Sequence, residues 1–218
     1  FTVVTNPAHG TLSGAGQNLL YTPASGFTGF DNFTFKVNDG ELDSDPAQVS
    51  ITVNPPGPVQ IFWDNFETDL GWTRNPNGTD TATTGMWERA NPEDTNSSGP
   101  KQLGTTVSGS YDLVTGPLAG TDAGSYDIDG GVTSIISPLI TLPANSQLTL
   151  TLSYYLAHGS NSSSADYLRI TIIGNTSQQI FEELGANNND NAAWASLTSN
   201  ISAFAGQTIK ILIAAADN

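Results

Sequence analysis

No cysteine occurs anywhere in the 218 residues. That absence removes a disulfide framework, a zinc–thiolate centre and a thiol nucleophile together. Cations are nearly as scarce, with six Lys and Arg against 21 Asp and Glu, a net charge of −15. The six (Lys36, Arg74, Arg89, Lys101, Arg169 and Lys210) are scattered along the chain. Counterion release from a polyanion needs clustered cations, so nucleic acid and anionic membrane are poor partners. No apolar run reaches the ~20 residues of a membrane-spanning helix, so membrane insertion is not expected. No signal peptide is visible either. The chain opens in mid-strand with "FTVVT", which predicts that the natural N-terminus lies upstream.

Helical periodicity is missing too. Charged residues make up only 12%, and no segment carries apolar residues at helical spacing. What the chain does have is short alternating runs separated by Gly, Asn, Ser, Thr and Pro, the signature of all-β structure. "NPPGP" at 54–58 marks a boundary, because consecutive prolines favour an extended, semi-rigid connector. Ahead of it the pattern predicts strands at 1–5, 18–22, 32–38 and 48–53. "NFTFKVN" alternates Phe33, Phe35 and Val37 with polar residues, as a half-buried strand does. Behind it, candidate strands include 60–67, 133–142, 147–157, 166–174, 179–184 and 208–215, joined by long polar loops. Many strands with long loops and no fixed-period repeat predict a two-sheet jelly-roll sandwich.

"NPAHGTLSG", "LLYTPASGFTGFDNFTFKVNDG" and "DSDPAQVSITV" resemble the cadherin-like or Ig-like tandem modules of bacterial surface adhesins. A complete Ig-like sandwich takes ~100 residues, so the first 54 cover only the second half of one. "FETDLGWT", "TATTGMWERANPE", "DIDGGVTSIISPLITLP" and "SYYLAHGSNSSSADYLRI" resemble a second family. It is the C-terminal β-sandwich module of secreted bacterial zinc carboxypeptidases and other exported proteins. More distantly these stretches resemble carbohydrate-binding and MAM-type jelly rolls. The resemblance implies a calcium-stabilised recognition or scaffolding module with no active site of its own. It also implies one more closing strand, with an Asp-Asp pair, after "AAADN". The fold class expected is therefore all-β. A partial Ig/cadherin-like sandwich (1–54) and a Pro-rich linker (55–59) lead into a jelly-roll β-sandwich lacking its last strand (60–218).

Catalytic chemistry finds little support. His9 lies in the turn "PAHG" and His158 closes "YYLAHG", and neither has a partner motif such as G-x-S-x-G or H-E-x-x-H. Glu67/Asp69, Asp127/Asp129 and Glu182/Glu183 are carboxylate pairs, but glycosidase acids usually face each other from different strands. Calcium suits the acidic stretches better. Residues i and i+2 of an extended backbone point to one side, so Asp127 and Asp129 could share an ion, with Gly130 and Gly131 turning the chain. Ca²⁺ takes 6–8 hard oxygen ligands, and this is not an EF-hand loop. Glu67, Asp69 and Asp166 are further candidate ligands, as are Asp39, Asp43 and Asp45 of "NDGELDSD".

Trp72 and Trp87 flank loops and are candidates for stacking on a sugar, whereas Trp63 in an alternating run is expected in the core. Six N-x-S/T sequons, beginning at Asn32, Asn77, Asn96, Asn161, Asn175 and Asn200, bear on function only if the source glycosylates exported proteins. The whole predicts a secreted or cell-surface bacterial protein acting in adhesion or extracellular assembly. Self-association through open sheet edges and a glycan or protein surface ligand are the partners expected. A targeting module of a secreted hydrolase is the alternative.

Overall fold

Strict alternation builds the first strands. In the computed structural model, which describes residues 1–120 and 124–217, the chain forms two units, Phe1–Val59 and Gln60–Asn218. The first contains β1 (Thr2–Thr5), β2 (Gly10–Ala15), β3 (Asn18–Pro23), β4 (Gly29–Lys36) and β5 (Ala47–Val53). β4 lies between β1 and β5, antiparallel to both, and β2–β3 is a separate hairpin. Phe33, Phe35, Val49 and Ile51 from the sheet face Leu12, Leu19 and Tyr21 from the hairpin across a 380 Å³ cavity.

Asp31 ties these layers together. It is 4% exposed and accepts the backbone N–H of Ala8, His9 and Asn32 and the Tyr21 hydroxyl, each at 2.9 Å. Burial alone would raise this carboxyl, but the four donors outweigh it and hold it at about 2. One side chain thus fixes the β1–β2 connection and the hairpin to the central strand.

The second unit opens with β6 (Thr73–Arg74), β7 (Trp87–Ala90), β8 (Thr95–Asn96), β9 (Pro100–Gln102) and β10 (Asp112–Thr115). There follow β11 (Gly131–Ile136), β12 (Ile140–Thr141), β13 (Thr149–Tyr154) and β14 (Tyr167–Ile173). β15 (Ser177–Leu184), β16 (Ala195–Asn200) and β17 (Thr208–Asp217) complete it. The main sheet runs β15-β14-β17-β11-β6, with β12 also paired to β17. β13–β16, β7–β10 and β8–β9 are two-stranded ribbons.

Ile170 and Ile172 of β14 and Ile209 and Ile211 of β17 pack under Leu150 and Leu152 of β13 and Leu197 of β16. The ribbon therefore covers one face of the main sheet, a two-layer β-sandwich. Each fully buried Ile contributes roughly 1.5–3 kcal/mol. Among the described residues the only helical turn is the 3₁₀ segment Ser202–Phe204.

Four details depart from the sequence expectation. Residues 60–67 hold no strand: the Asp64 carboxylate accepts the Phe66 N–H at 2.7 Å, and Phe66 turns to φ 60°. The run 133–142 breaks at Pro138, which cannot donate to a ladder, and the Ser137 hydroxyl accepts Ile211 N–H at 2.8 Å instead. β2 and β16 were not expected, since each presents a single large apolar side chain, Leu12 and Leu197. Trp63 is 63% exposed rather than core, because its segment has no partner strand.

Candidate functional site

Strand order gathers acids at one end of the main sheet. β17 lies between β11 and β14 and is antiparallel to both, with Asp217 opposite Gly131 and Ala216 opposite Tyr167. The residues leading into β11 and β14 therefore flank the last residue of β17. Asp129, Asp166 and Asp217 meet there. Asp166 is 6% exposed, and its Oδ2 accepts the Ser162 hydroxyl and the Ser163 N–H, both at 2.6 Å. Asp129 Oδ2 accepts the Thr84 hydroxyl at 3.2 Å, and its carbonyl accepts Thr83 N–H at 2.8 Å.

Burial raises the Asp217 carboxyl, and the negative charges of Asp166 and Asp129 raise it further, as does a hydrogen bond to Asp166. Burial and crowding by Asp166 and Asp129 therefore make Asp217 easier to protonate than a free aspartate. Gly131 allows the close packing beside them. Its φ is +134°, and a Cβ there would lie 2.0 Å from Thr81 Oγ1.

Of the predicted ligands, Asp129 and Asp166 come together, and Asp217 was missed. The signal that finds it is register, which local spacing does not carry. Asp127 lies in the same loop and offers its carbonyl to the Thr84 hydroxyl at 3.0 Å. Glu67 lies instead by the start of β10, where its Oε1 accepts Ser110 and Tyr111 N–H at 2.7 and 2.8 Å. Those bonds lower its carboxyl against the opposing effect of burial, with Arg89 assisting. Asp69 closes a turn by accepting Gly71 N–H at 2.8 Å.

In the first unit, Asp39 accepts Glu41 and Leu42 N–H, and Asp43 pairs with Lys36 and Asn38. Asp45 is exposed, and its carbonyl takes the Ser44 hydroxyl. The predicted ligands do not form one set. Among the described residues no three Asp, Glu or His side chains stand in ready metal geometry.

The aromatic expectations change as well. Trp87 is buried in a cluster with Ile135, Leu168 and Ala215, so it cannot stack on a sugar. Trp72 is half-buried against both core clusters, and its Nε1 donates to Asp64 at 2.8 Å. His9 stacks on Phe27 at 4.4 Å. His158 has Nδ1 at 3.1 Å from the Gly159 carbonyl and Nε2 at 4.0 Å from an Asp190 carboxylate oxygen.

Residues 1–52 match the family model described as a bacterial Ig domain. No curated protein matches the chain. The Ig match points to an extracellular or surface module of a class that is generally non-catalytic. No helix among the described residues is long and apolar enough to cross a membrane.

Proposed function

We propose that the chain is a pair of non-catalytic β-modules of an exported bacterial protein, working in adhesion or extracellular assembly, with calcium bracing the second unit. The bacterial Ig match over residues 1–52 carries this reading. The −15 charge and the crowding of Asp129, Asp166 and Asp217 at one corner support the calcium part, with the three carboxylates drawing closer together to hold the ion. A divalent cation would offset the mutual repulsion of these carboxylates, supplying the charge that the chain lacks. An ion that binds only the folded form adds about 2.7 kcal/mol at 100 times its Kd.

The test is melting of the second unit in excess calcium and in chelator. The midpoint should rise with calcium in the natural sequence and not in Asp166→Asn or Asp217→Asn. Equal midpoints would end the calcium reading. Concentration-dependent mass in solution, measured with and without calcium, tests assembly. A monomer at every concentration in both conditions argues against it.

A second reading rests on Trp63, whose 63% exposure is high for a large aromatic side chain. Such a ring suits a targeting module that stacks on sugar or docks on protein. A glycan array with the natural chain and Trp63→Ala tests it, and hits unchanged by the substitution discard it.

A further inference from the structure

Asp112 opens β10 opposite Ala90 of β7. Its Oδ2 is sealed from solvent and meets no hydrogen-bond donor among the described residues. An ionised oxygen in that position loses its water shell and receives nothing in return.

Among the described residues the charge that acts on it is negative. Glu67 adds a negative field, and its own carboxylate is already committed to Ser110 and Tyr111 N–H. The nearest strand partner with a cation is β7, whose Arg89 donates to the Phe66 carbonyl at 2.7 Å and lies over the Tyr111 ring at 4.4 Å. Tyr155, just beyond β13, is the other titratable neighbour. Its hydroxyl is raised by burial, lowered by accepting Leu103 N–H at 3.3 Å, and raised again by the charge of Asp112. Trp194 packs edge-on to Tyr155 at 4.9 Å and closes that side. Among the described residues Asp112 is thus a carboxyl with an orphaned buried oxygen and with an acid and a phenol among its neighbours.

We propose that Asp112 is a proton-operated latch, holding the β7–β10 ribbon closed in mild acid and loosening it towards neutral pH. The neutral carboxyl fits the sealed position and repels neither Glu67 nor an ionised neighbour. The charged form does not fit. Moving outward to reach water relieves it, and that motion pulls on the first pair of the ribbon. Burial and Glu67 push this carboxyl up to about 6, which sets the pH at which the latch turns.

The experiment is amide hydrogen exchange on the full chain from pH 4.5 to 7.5, expressed as protection to remove the intrinsic pH dependence. Protection at 87–90 and 112–115 should fall by about 10-fold across pH 5–7, given tenfold per unit of differential proton affinity. Asp112→Asn should flatten that profile. Glu88→Gln, which removes the same charge from an exposed position on the same ribbon, should leave it intact. An Asp112→Asn profile that matches the natural one overturns the latch. Where the Asn variant does not fold, carbon-13 titration of the natural Asp112 carboxyl decides. A midpoint near 6 supports the latch and a midpoint near 4 overturns it.

Discussion

Asp31 in the first unit and Asp112 in the second are carboxylates drawn beneath the surface, yet their surroundings give them opposite chemistry. Asp31 collects four donors and is held at about 2, charged except in strong acid. Asp112 has an oxygen with no donor among the described residues and the field of Glu67, and it is pushed to about 6. Asp31 is the less exposed of the two residues, so exposure does not account for the difference. The supply of N–H and O–H groups does. The first unit has few apolar side chains to bury, and it spends a charge as a fastener. In the second unit the core supplies the cohesion, and the buried acid becomes a load that the core must carry.

Breaking the fastener should have the largest effect. Asp31→Ala orphans the Ala8, His9 and Asn32 N–H groups and the Tyr21 hydroxyl at once. A unit of 59 residues has little core to absorb that loss. In a ¹⁵N correlation spectrum, dispersed signals from residues 1–59 should collapse while those of the second unit persist. Retained dispersion would mean that the donors find other acceptors. The corresponding lesion in the second unit is Ile172→Ala, at a fully buried position in the main sheet. It should cost about 2–5 kcal/mol and leave a folded sandwich with a lower midpoint in denaturant.

A pH series sharpens the same contrast. A depressed carboxyl contributes stability above its unfolded value of 3.8, and that contribution is lost as pH falls towards about 2. A raised carboxyl acts the other way. Between 3.8 and about 6 the folded second unit binds a proton that the unfolded chain does not, so rising pH through that window removes stability. The first unit should therefore weaken only in strong acid, while the second is firmest in mild acid and loses ground towards neutrality. Melting each unit from pH 2 to 7 with site-specific probes checks both signs. Parallel curves would show that overall charge, not these two groups, sets the response.

The strands with strong alternation were readable from sequence, as β4, β14 and β17 show. The weak ones were not. β2 and β16 each carry one large apolar residue, so their partners decide them. Residues 60–67 erred the other way: "QIFWDNFE" has the composition of a strand, but the Asp64 side chain captures the backbone and turns it. Asp129 and Asp166 stood out because they sit in loops beside Gly and Ser. Asp217 joins them only through the register of β17 between two strands distant in sequence. Asp112 was invisible for a related reason. In "SYDLV" it reads as an ordinary strand residue, and its orphaned oxygen depends on side chains contributed by Glu67 and Tyr155.

The smallest effects should separate two tryptophans of the second unit. Trp72 Nε1 donates to Asp64 at 2.8 Å, and the same carboxylate holds the turn at Phe66. Trp87 is more deeply buried, and its Nε1 has no partner among the described residues. Replacing either with Phe removes an N–H and some ring volume, so the two changes have similar packing costs. They differ in what becomes of the polar group. Trp72→Phe leaves the Asp64 carboxylate short of one donor and should cost about 1–2 kcal/mol beyond packing. Trp87→Phe removes an N–H that was already unsatisfied, which offsets part of its packing loss. Chemical denaturation of the two variants should therefore place Trp87→Phe above Trp72→Phe in stability, although Trp87 is the more buried ring. The opposite order would mean that ring volume, not hydrogen bonding, governs both positions.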